Sequence, residues 1–236
     1  MDVTGLDRWY SIEEYDPEGK ELASIIKLGK VGGRKVLITG AYGALSTSSK
    51  IAAYTDSLTV VNSSRKIIEY CKKKNKGIDF MVGNISKLAF PDNTFEVVLC
   101  IWGGMYYMKN KTAVIKELKR VLKDMGILLI EESDESSEYV KILDMIAPKR
   151  KSKIKDKRDE LKRVLESNFD VAERSLRTYY YFKDKKQFKG YFKKEITYDE
   201  KKKFTKGMEE RLDGCISKKN TLRVEEKSFF FVCKKK

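Results

Sequence analysis

The chain has 236 residues, of which 41% are apolar and 36% are charged, so it is long enough and apolar enough to fold around a hydrophobic core. No apolar run approaches the roughly 18 residues of a membrane span, and the N-terminus opens with charged residues, so we expect a cytoplasmic protein. Histidine is absent and the four cysteines are scattered, which excludes Ser-His and Cys-His catalytic devices and predicts that no metal is bound.

In the first half of the chain, short apolar runs alternate with amphipathic segments. Helices are predicted for 18–29, 46–54, 62–74 and 112–122, and strands for 35–39, 58–61, 78–82, 95–101 and 126–131. The run at 95–101 is almost wholly apolar, as is typical of a central strand buried on both faces. This alternation predicts an α/β fold with a mostly parallel sheet covered by helices on both faces.

The second half of the chain is more polar. Helices are predicted for 138–146, for a segment ending near 167, and for 188–194 and 199–212, and strands for 171–182 and 223–233. We interpret residues 1–236 as one domain with a core at 1–144 and a C-terminal part at 145–236 that contains inserted helices and the last strands.

The net charge of +15 is unevenly distributed between these two parts. Residues 1–144 contain 21 basic and 20 acidic side chains, whereas residues 145–236 contain 29 and 15. The densest basic run is Lys149–Arg158, which predicts an anionic partner such as nucleic acid. A lysine-rich solvated surface would have the same composition, so both interpretations stay open.

A glycine turn, Gly40 to Gly43, follows the first predicted strand. Ligands of open parallel sheets bind beyond the carboxyl ends of the strands, so this turn is a candidate ligand site. Residues 39–46 (T-G-A-Y-G-A-L-S) resemble the T-G-x-x-G-x-x-G motif of short-chain dehydrogenases, and Tyr107 and Lys111 have the spacing of that family's Tyr-x-x-x-Lys pair. This resemblance implies an NAD(P) enzyme, although the pair follows the turn by fewer residues than is usual in that family.

A second resemblance covers residues 35–130 and the end of the chain. Residues 83–98 (G-N-I-S-K-L-A-F-P-D-N-T-F-E-V-V) resemble G-D-a-x-x-L-P-F-x-D-x-x-F-D-x-V, and residues 117–126 (E-L-K-R-V-L-K-D-M-G) resemble E-x-x-R-V-L-K-P-G-G. Both motifs are those of the type 11 group of class I S-adenosylmethionine (SAM)-dependent methyltransferases. The resemblance implies a Rossmann-like fold with a mostly parallel seven-stranded sheet, a C-terminal antiparallel strand pair, and SAM as the cofactor.

The methyltransferase resemblance also implies site residues. Those matched to the cofactor site are Gly40, Ala41, Gly43, Asn62, Asn84, Ile85 and Ile101. Those matched to the family's substrate-pocket segments are Tyr10, Trp102 and Tyr106. No catalytic residue is predicted.

Several motif positions depart from the family pattern. Ile38 replaces the acid of the first glycine motif, and Tyr42 and Ala44 replace glycines. Asn62 and Asn84 replace the two acids that follow the second and third strands, so two charge-assisted hydrogen bonds to the cofactor become neutral ones.

Three functions therefore remain open. The chain is a divergent SAM-dependent methyltransferase acting on a small molecule or RNA, or an inactive methyltransferase-like protein that serves as a binding or partner subunit. The third candidate is a short-chain dehydrogenase-like NAD(P) enzyme. We expect no membrane contact, and the sequence does not predict an oligomeric state.

Overall fold

A computed structural model describes residues 15–40, 47–148, 154–200, 204–217 and 222–235. The helices of eight or more residues are α1 (Lys20–Gly29), α3 (Arg65–Lys74), α4 (Lys111–Val121), α5 (Glu138–Ile146), α6 (Ile154–Glu166), α7 (Lys185–Glu200) and α8 (Lys206–Ser217). The short helix α2 (Ser48–Ile51) continues as a 3₁₀ turn. The strands are β1 (Lys35–Thr39), β2 (Ser57–Asn62), β3 (Asp79–Val82), β4 (Phe95–Ile101), β5 (Leu122–Ser133), β6 (Phe169–Tyr181) and β7 (Arg223–Lys235).

The strands form one seven-stranded sheet in the order β3-β2-β1-β4-β5-β7-β6. Strand β1 is parallel to β2 on one side and to β4 on the other, and β2–β3 and β4–β5 are parallel as well. The C-terminal strands are antiparallel, so the sheet is mixed. The predicted α/β, Rossmann-like fold class is therefore confirmed.

The predicted elements are present, with different bounds in several places. Helix α5 has the predicted bounds, and β1 and β4 agree with their predicted runs. Helix α8 begins seven residues after the predicted start at 199, because α7 continues through Glu200. Strand β5 begins at Leu122, directly after α4, because Leu122 already pairs with Phe95; the register then shifts, with Met125 in a left-handed conformation (φ 62°), and regular pairing resumes at Ile127 opposite Val97.

Local side-chain caps begin two of the helices in the first half. The Ser64 hydroxyl accepts a hydrogen bond from the Ile67 amide at 3.4 Å at the start of α3. The Asn110 side chain accepts one from the Ala113 amide at 3.0 Å at the start of α4. Both caps satisfy amides that have no partner within the helix, and both residue types are favoured at this position.

The chain divides into two compact units that are interleaved along the sequence. The sheet unit comprises Gly19–Glu132, Lys155–Leu176 and 229–235. The aromatic unit comprises the described residues of 15–18, Ser133–Ile154 and Arg177–Ser228. Strands β6 and β7 contribute residues to both units.

The core of the sheet unit lies on the central strands. Val36, Leu37 and Ile38 of β1 are fully buried, and so are Val97 to Ile101 of β4. Burial of such side chains stabilises a fold by about 1.5–3 kcal/mol each, so these runs dominate the packing of this unit.

The aromatic unit has a separate core of rings and aliphatic side chains. Phe182, Phe188 and Phe192 are buried there together with apolar residues of α5 and α8. The Arg211 guanidinium of α8 donates to the Ile146 carbonyl at 3.1 and 2.9 Å, which closes the C-terminus of α5. Among the described residues, no helix combines the length and the apolarity that crossing a bilayer requires.

Candidate cofactor site

The strand order reverses between β1 and β4, and their carboxyl ends meet at one edge of the sheet. Thr39 of β1 lies beside Val61 of β2 and beside Cys100 of β4, and Asn62 lies beside Val82 of β3. The residues that directly follow these positions therefore share this edge, which is where open parallel sheets bind ligands. All of them belong to the sheet unit.

Gly40 lies directly after β1 and brings two loops together. Its φ of 96° favours glycine, and a Cβ placed there would lie 2.8 Å from the Cα atom of Gly103, in the loop after β4. Any larger residue would push these loops apart. Ala41 and Gly43, also predicted for the cofactor site, lie outside the described residues, as does Tyr42.

Asn62 ends β2 and is largely buried. Its side-chain oxygen accepts a hydrogen bond from the Ser64 amide at 2.8 Å, and its carbonyl accepts one from the Gly83 amide at 3.0 Å. The side-chain NH₂ group can still donate to a ligand oxygen. The ends of β2 and β3 are therefore joined at the position where the family has a ribose-binding acid.

Asn84 and Ile85 follow β3. The Asn84 side-chain oxygen accepts from the backbone amide and the hydroxyl of Ser86, both at 2.9 Å, so Asn84 shapes its own loop. Ile85 is half-buried. The structure thus places Gly40, Asn62 and the start of this loop along one edge of the sheet.

The loop after β4 contains two of the predicted substrate residues. Ile101, the last residue of β4, is fully buried, and Tyr106 is buried as well. Trp102 has a φ of 48°, and its indole NH donates to a Glu21 carboxylate oxygen of α1 at 2.5 Å. Tyr10, the third predicted substrate residue, lies outside the described residues.

The residue types that a dehydrogenase would need are engaged in other contacts. The Lys111 ammonium forms an ion pair with the Glu160 carboxylate at 2.9 Å, and the ring centroid of Tyr107 lies 3.7 Å from the Lys157 ammonium.

The end of the basic run also contacts other parts of the protein. Arg158 pairs with Glu173 and also stacks on the ring of Phe229. Of the basic run Lys149–Arg158, residues 149–153 lie outside the described part, and Lys157 and Arg158 have these local partners.

Sequence reasoning missed the buried polar groups beneath this edge. Glu132, near the end of β5, is buried, and burial raises the pKa of its carboxyl to about 8, although hydrogen bonds from the amides of residues 104–106 act in the opposite direction. Thr39 and Cys100 share a hydrogen bond at 2.9 Å, and burial raises the pKa of the Cys100 thiol to about 12. The available signal was an acid pair, Glu131 and Glu132, at the end of an otherwise apolar strand.

The residues at this edge of the sheet lie within a segment that matches a known protein family. Residues 40–130 match the family model described as "Methyltransferase domain". The chain is 28% identical over 127 residues to the uncharacterized methyltransferase YcgJ of Bacillus subtilis, a match that covers 51% of this chain and 49% of that protein. It is 31% identical over 158 residues to the ubiquinone/menaquinone biosynthesis C-methyltransferase UbiE of Shewanella pealeana, covering 61% and 62%. The chain thus spans about half to two thirds of these relatives' length.

Solved structures extend the similarity of fold to nearly the whole chain. The crystal structure of Bacillus subtilis YcgJ superposes with a TM-score of 0.64 at 15% identity, covering 91% of this chain and 97% of that one. The [4+2]-cyclase SpnF superposes with a TM-score of 0.62 at 14% identity, covering 99% and 93%. At these identities the superpositions show the fold alone. The matched segment, the motifs it contains and the relatives it resembles support a class I SAM-dependent methyltransferase family for this chain, with the family match itself confined to residues 40–130.

Proposed function

We propose that the chain is a SAM-dependent methyltransferase that acts on a small molecule. The observation that carries this proposal is the strand register, which brings Gly40, Asn62 and Ile101 to one edge at the switch point of the sheet. Fold alone is insufficient support, because the cyclase SpnF shares it.

The residues at this edge fit SAM with neutral groups where relatives of the motif use acids. The Asn62 side-chain oxygen is used by the Ser64 amide, so its NH₂ group would be the donor to a ribose hydroxyl, and Gly40 would allow a close backbone approach. Ile85 offers an apolar surface beside the adenine position that the motif implies. When bound, SAM supplies a sulfonium methyl group that an acceptor nucleophile can take.

The chain's own contribution to methyl transfer is alignment. Trp102 and Tyr106 lie on the loop that borders Gly40; Trp102 is half-buried and would contact an acceptor, while the buried Tyr106 would support the loop from behind. Holding two reactants in line provides much of the rate enhancement of such a transfer, so the lack of histidine is no obstacle.

A small-molecule acceptor is favoured over RNA by the contacts of the basic run. Lys157 lies over Tyr107 and Arg158 pairs with Glu173, so these two cations are already engaged within the protein. We expect single-stranded RNA to bind weakly at moderate salt. Tight binding that weakens steeply with salt would replace the small-molecule acceptor by RNA.

Calorimetric titration with SAM and S-adenosylhomocysteine tests the proposal, with NADH and NADPH as competing ligands. We expect SAM to bind and Asn62→Asp to tighten it roughly fivefold, because a carboxylate adds a charged acceptor for the ribose hydroxyls. Asn110→Asp is the matched control: it makes the same change at the α4 cap, where aspartate serves equally well, and should leave SAM affinity unchanged.

The alternative functions are the outcomes that would overturn the proposal. Absence of heat with both SAM and S-adenosylhomocysteine, in the wild type and in Asn62→Asp, would favour the inactive partner subunit. Binding of a dinucleotide without SAM binding would favour the dehydrogenase.

A further inference from the structure

Glu132 is a buried acid, and all the backbone hydrogen bonds recorded for its carboxylate come from the loop that follows β4. Its carboxylate accepts hydrogen bonds from the backbone amides of Met105, Tyr106 and Gly104, with the Met105 nitrogen 2.5 Å from one oxygen. Gly104 has a φ of 70°, a left-handed conformation that lets successive amides point to the same side. Such consecutive amides form a concavity that binds an anion, and here the anion is a side chain of the same chain.

The loop that Glu132 holds is the one that borders the candidate cofactor site. Gly103, the residue before this amide group, is in close contact with Gly40. Trp102 precedes it, and its backbone amide donates to the Glu131 carbonyl of β5 at 3.1 Å. Two consecutive residues at the end of β5 therefore hold this loop. Glu131 does so through its backbone carbonyl, and Glu132 does so through its buried carboxylate.

We propose that Glu132 is a positioning residue of the site: by binding the amides of residues 104–106, its carboxylate holds Trp102 at the candidate acceptor position, Tyr106 behind the loop and Gly103 against Gly40. The effect on ligand binding rests on the proposed function. The effect on the loop does not, because the hydrogen bonds are made within the protein alone.

This loop support depends on the ionisation of Glu132. Burial raises the pKa of this carboxyl to about 8, so its charge changes within the neutral to mildly alkaline range. The titratable groups near it are the Cys100 thiol of β4, which interacts with it electrostatically, and, through the Trp102 indole, the Glu21 carboxyl of α1. The Cys100 thiol stays protonated there, since its own pKa is raised to about 12. The ionised Glu132 carboxylate is acceptor-only, so the loop is held more tightly as the pH rises through about 8.

The fluorescence of Trp102 tests the loop directly. Trp9 and Trp102 are the two tryptophans, so Trp9→Phe leaves Trp102 as the single reporter. We expect its emission to shift between pH 6 and 9.5 with a midpoint near 8, and Glu132→Gln to abolish this transition. Glu21→Gln is the matched control, because it neutralises the acid that Trp102 contacts directly and should preserve the transition.

A SAM titration of Glu132 variants separates positioning from folding. Glu132→Ala removes the acceptor and should weaken SAM about tenfold, whereas Glu132→Gln keeps one acceptor oxygen and should restore most of the affinity while losing its pH dependence. A merely structural role would lower thermal stability and leave the pH profile of affinity unchanged.

Two results would overturn the proposal. One is a folded Glu132→Ala protein with the wild-type emission profile, and the other is a transition that disappears in Glu21→Gln and persists in Glu132→Gln. If SAM does not bind to any variant, the proposed function fails, and the fluorescence titration still decides the role of Glu132.

Discussion

Met125 has a backbone conformation that favours glycine, at the position where the resembling family has one. Its φ is 62°, and the residue is 84% exposed, so the side chain adds little packing to offset the strained backbone. A left-handed conformation costs a residue with a Cβ atom about 1–2 kcal/mol relative to glycine. The departure from the motif at this residue is therefore a local cost in stability.

Met125→Gly should stabilise the protein by about 1 kcal/mol, which corresponds to a rise in Tm of about 2–4 °C for a chain of this size. Thermal unfolding followed by circular dichroism measures it. Met125→Ala is the control, since it removes the same side chain and keeps the Cβ atom. Equal gains from both variants would show that the exposed thioether, and not the backbone angle, is responsible.

At the scale of elements, α4 holds the loop between β3 and β4 through one guanidinium group. Arg120 donates to the carbonyls of Leu88 and Phe90 and pairs with Asp92 and Glu117. Glu117 in turn accepts from the Leu88 amide at 2.6 Å. The planar fork of arginine makes several of these bonds at once, and lysine cannot reproduce this geometry.

Arg120→Lys should therefore destabilise the protein by about 2 kcal/mol, close to the effect of Arg120→Ala, although the charge is kept. Urea unfolding gives the free energy. Arg65→Lys, an exposed change on α3, should have an effect within about 0.5 kcal/mol. A stability for Arg120→Lys equal to that of the wild type would mean that charge alone holds the loop.

At the scale of the whole molecule, Glu132 links folding stability to pH. Its pKa is raised from 4.5 to about 8 in the folded protein, so the folded protein retains a proton there that the unfolded chain has already lost. The contribution of this group to stability therefore falls as the pH rises from 4.5 to about 8, and is level above that. The ionised form still binds the loop more tightly, because the amide hydrogen bonds favour the charged carboxylate. The pKa is raised nevertheless, because the cost of burying the charge is larger than the gain from those hydrogen bonds.

Glu132→Gln should flatten this pH dependence. Relative to the variant, the unfolding free energy of the wild type should decrease with rising pH, by up to about 1.4 kcal/mol per pH unit within this window. Chemical unfolding at several pH values from 5 to 9 measures it. Parallel pH profiles for the two proteins would contradict the raised pKa.

The strands and helices were predictable because their signals are local. The apolar run of β4 and the periodic apolar face of α4 follow from neighbouring residues, and the structure has both near their predicted bounds. The start of α8 was predicted wrongly, because α7 continues through Glu200 and no breaker residue between them marks where one helix ends and the next begins.

The candidate site could be predicted only in part. Gly40 and Asn62 follow recognisable motifs, and the structure brings them to one edge. The role of Glu132 was not predictable, because an acid near the end of a strand looks the same in the sequence whether it faces water or three amides of a distant loop.

The sequence by itself determined the fold class and pointed to the methyltransferase resemblance, since both depend on the order of short apolar runs and on motifs of adjacent residues. The contact of Gly40 with Gly103, and the hydrogen bonds of Glu132 and Arg120, were decided only by the tertiary structure. These contacts join residues about 25 to 60 positions apart, and their energies arise from burial and from hydrogen-bond geometry. Neither property exists until the chain has folded.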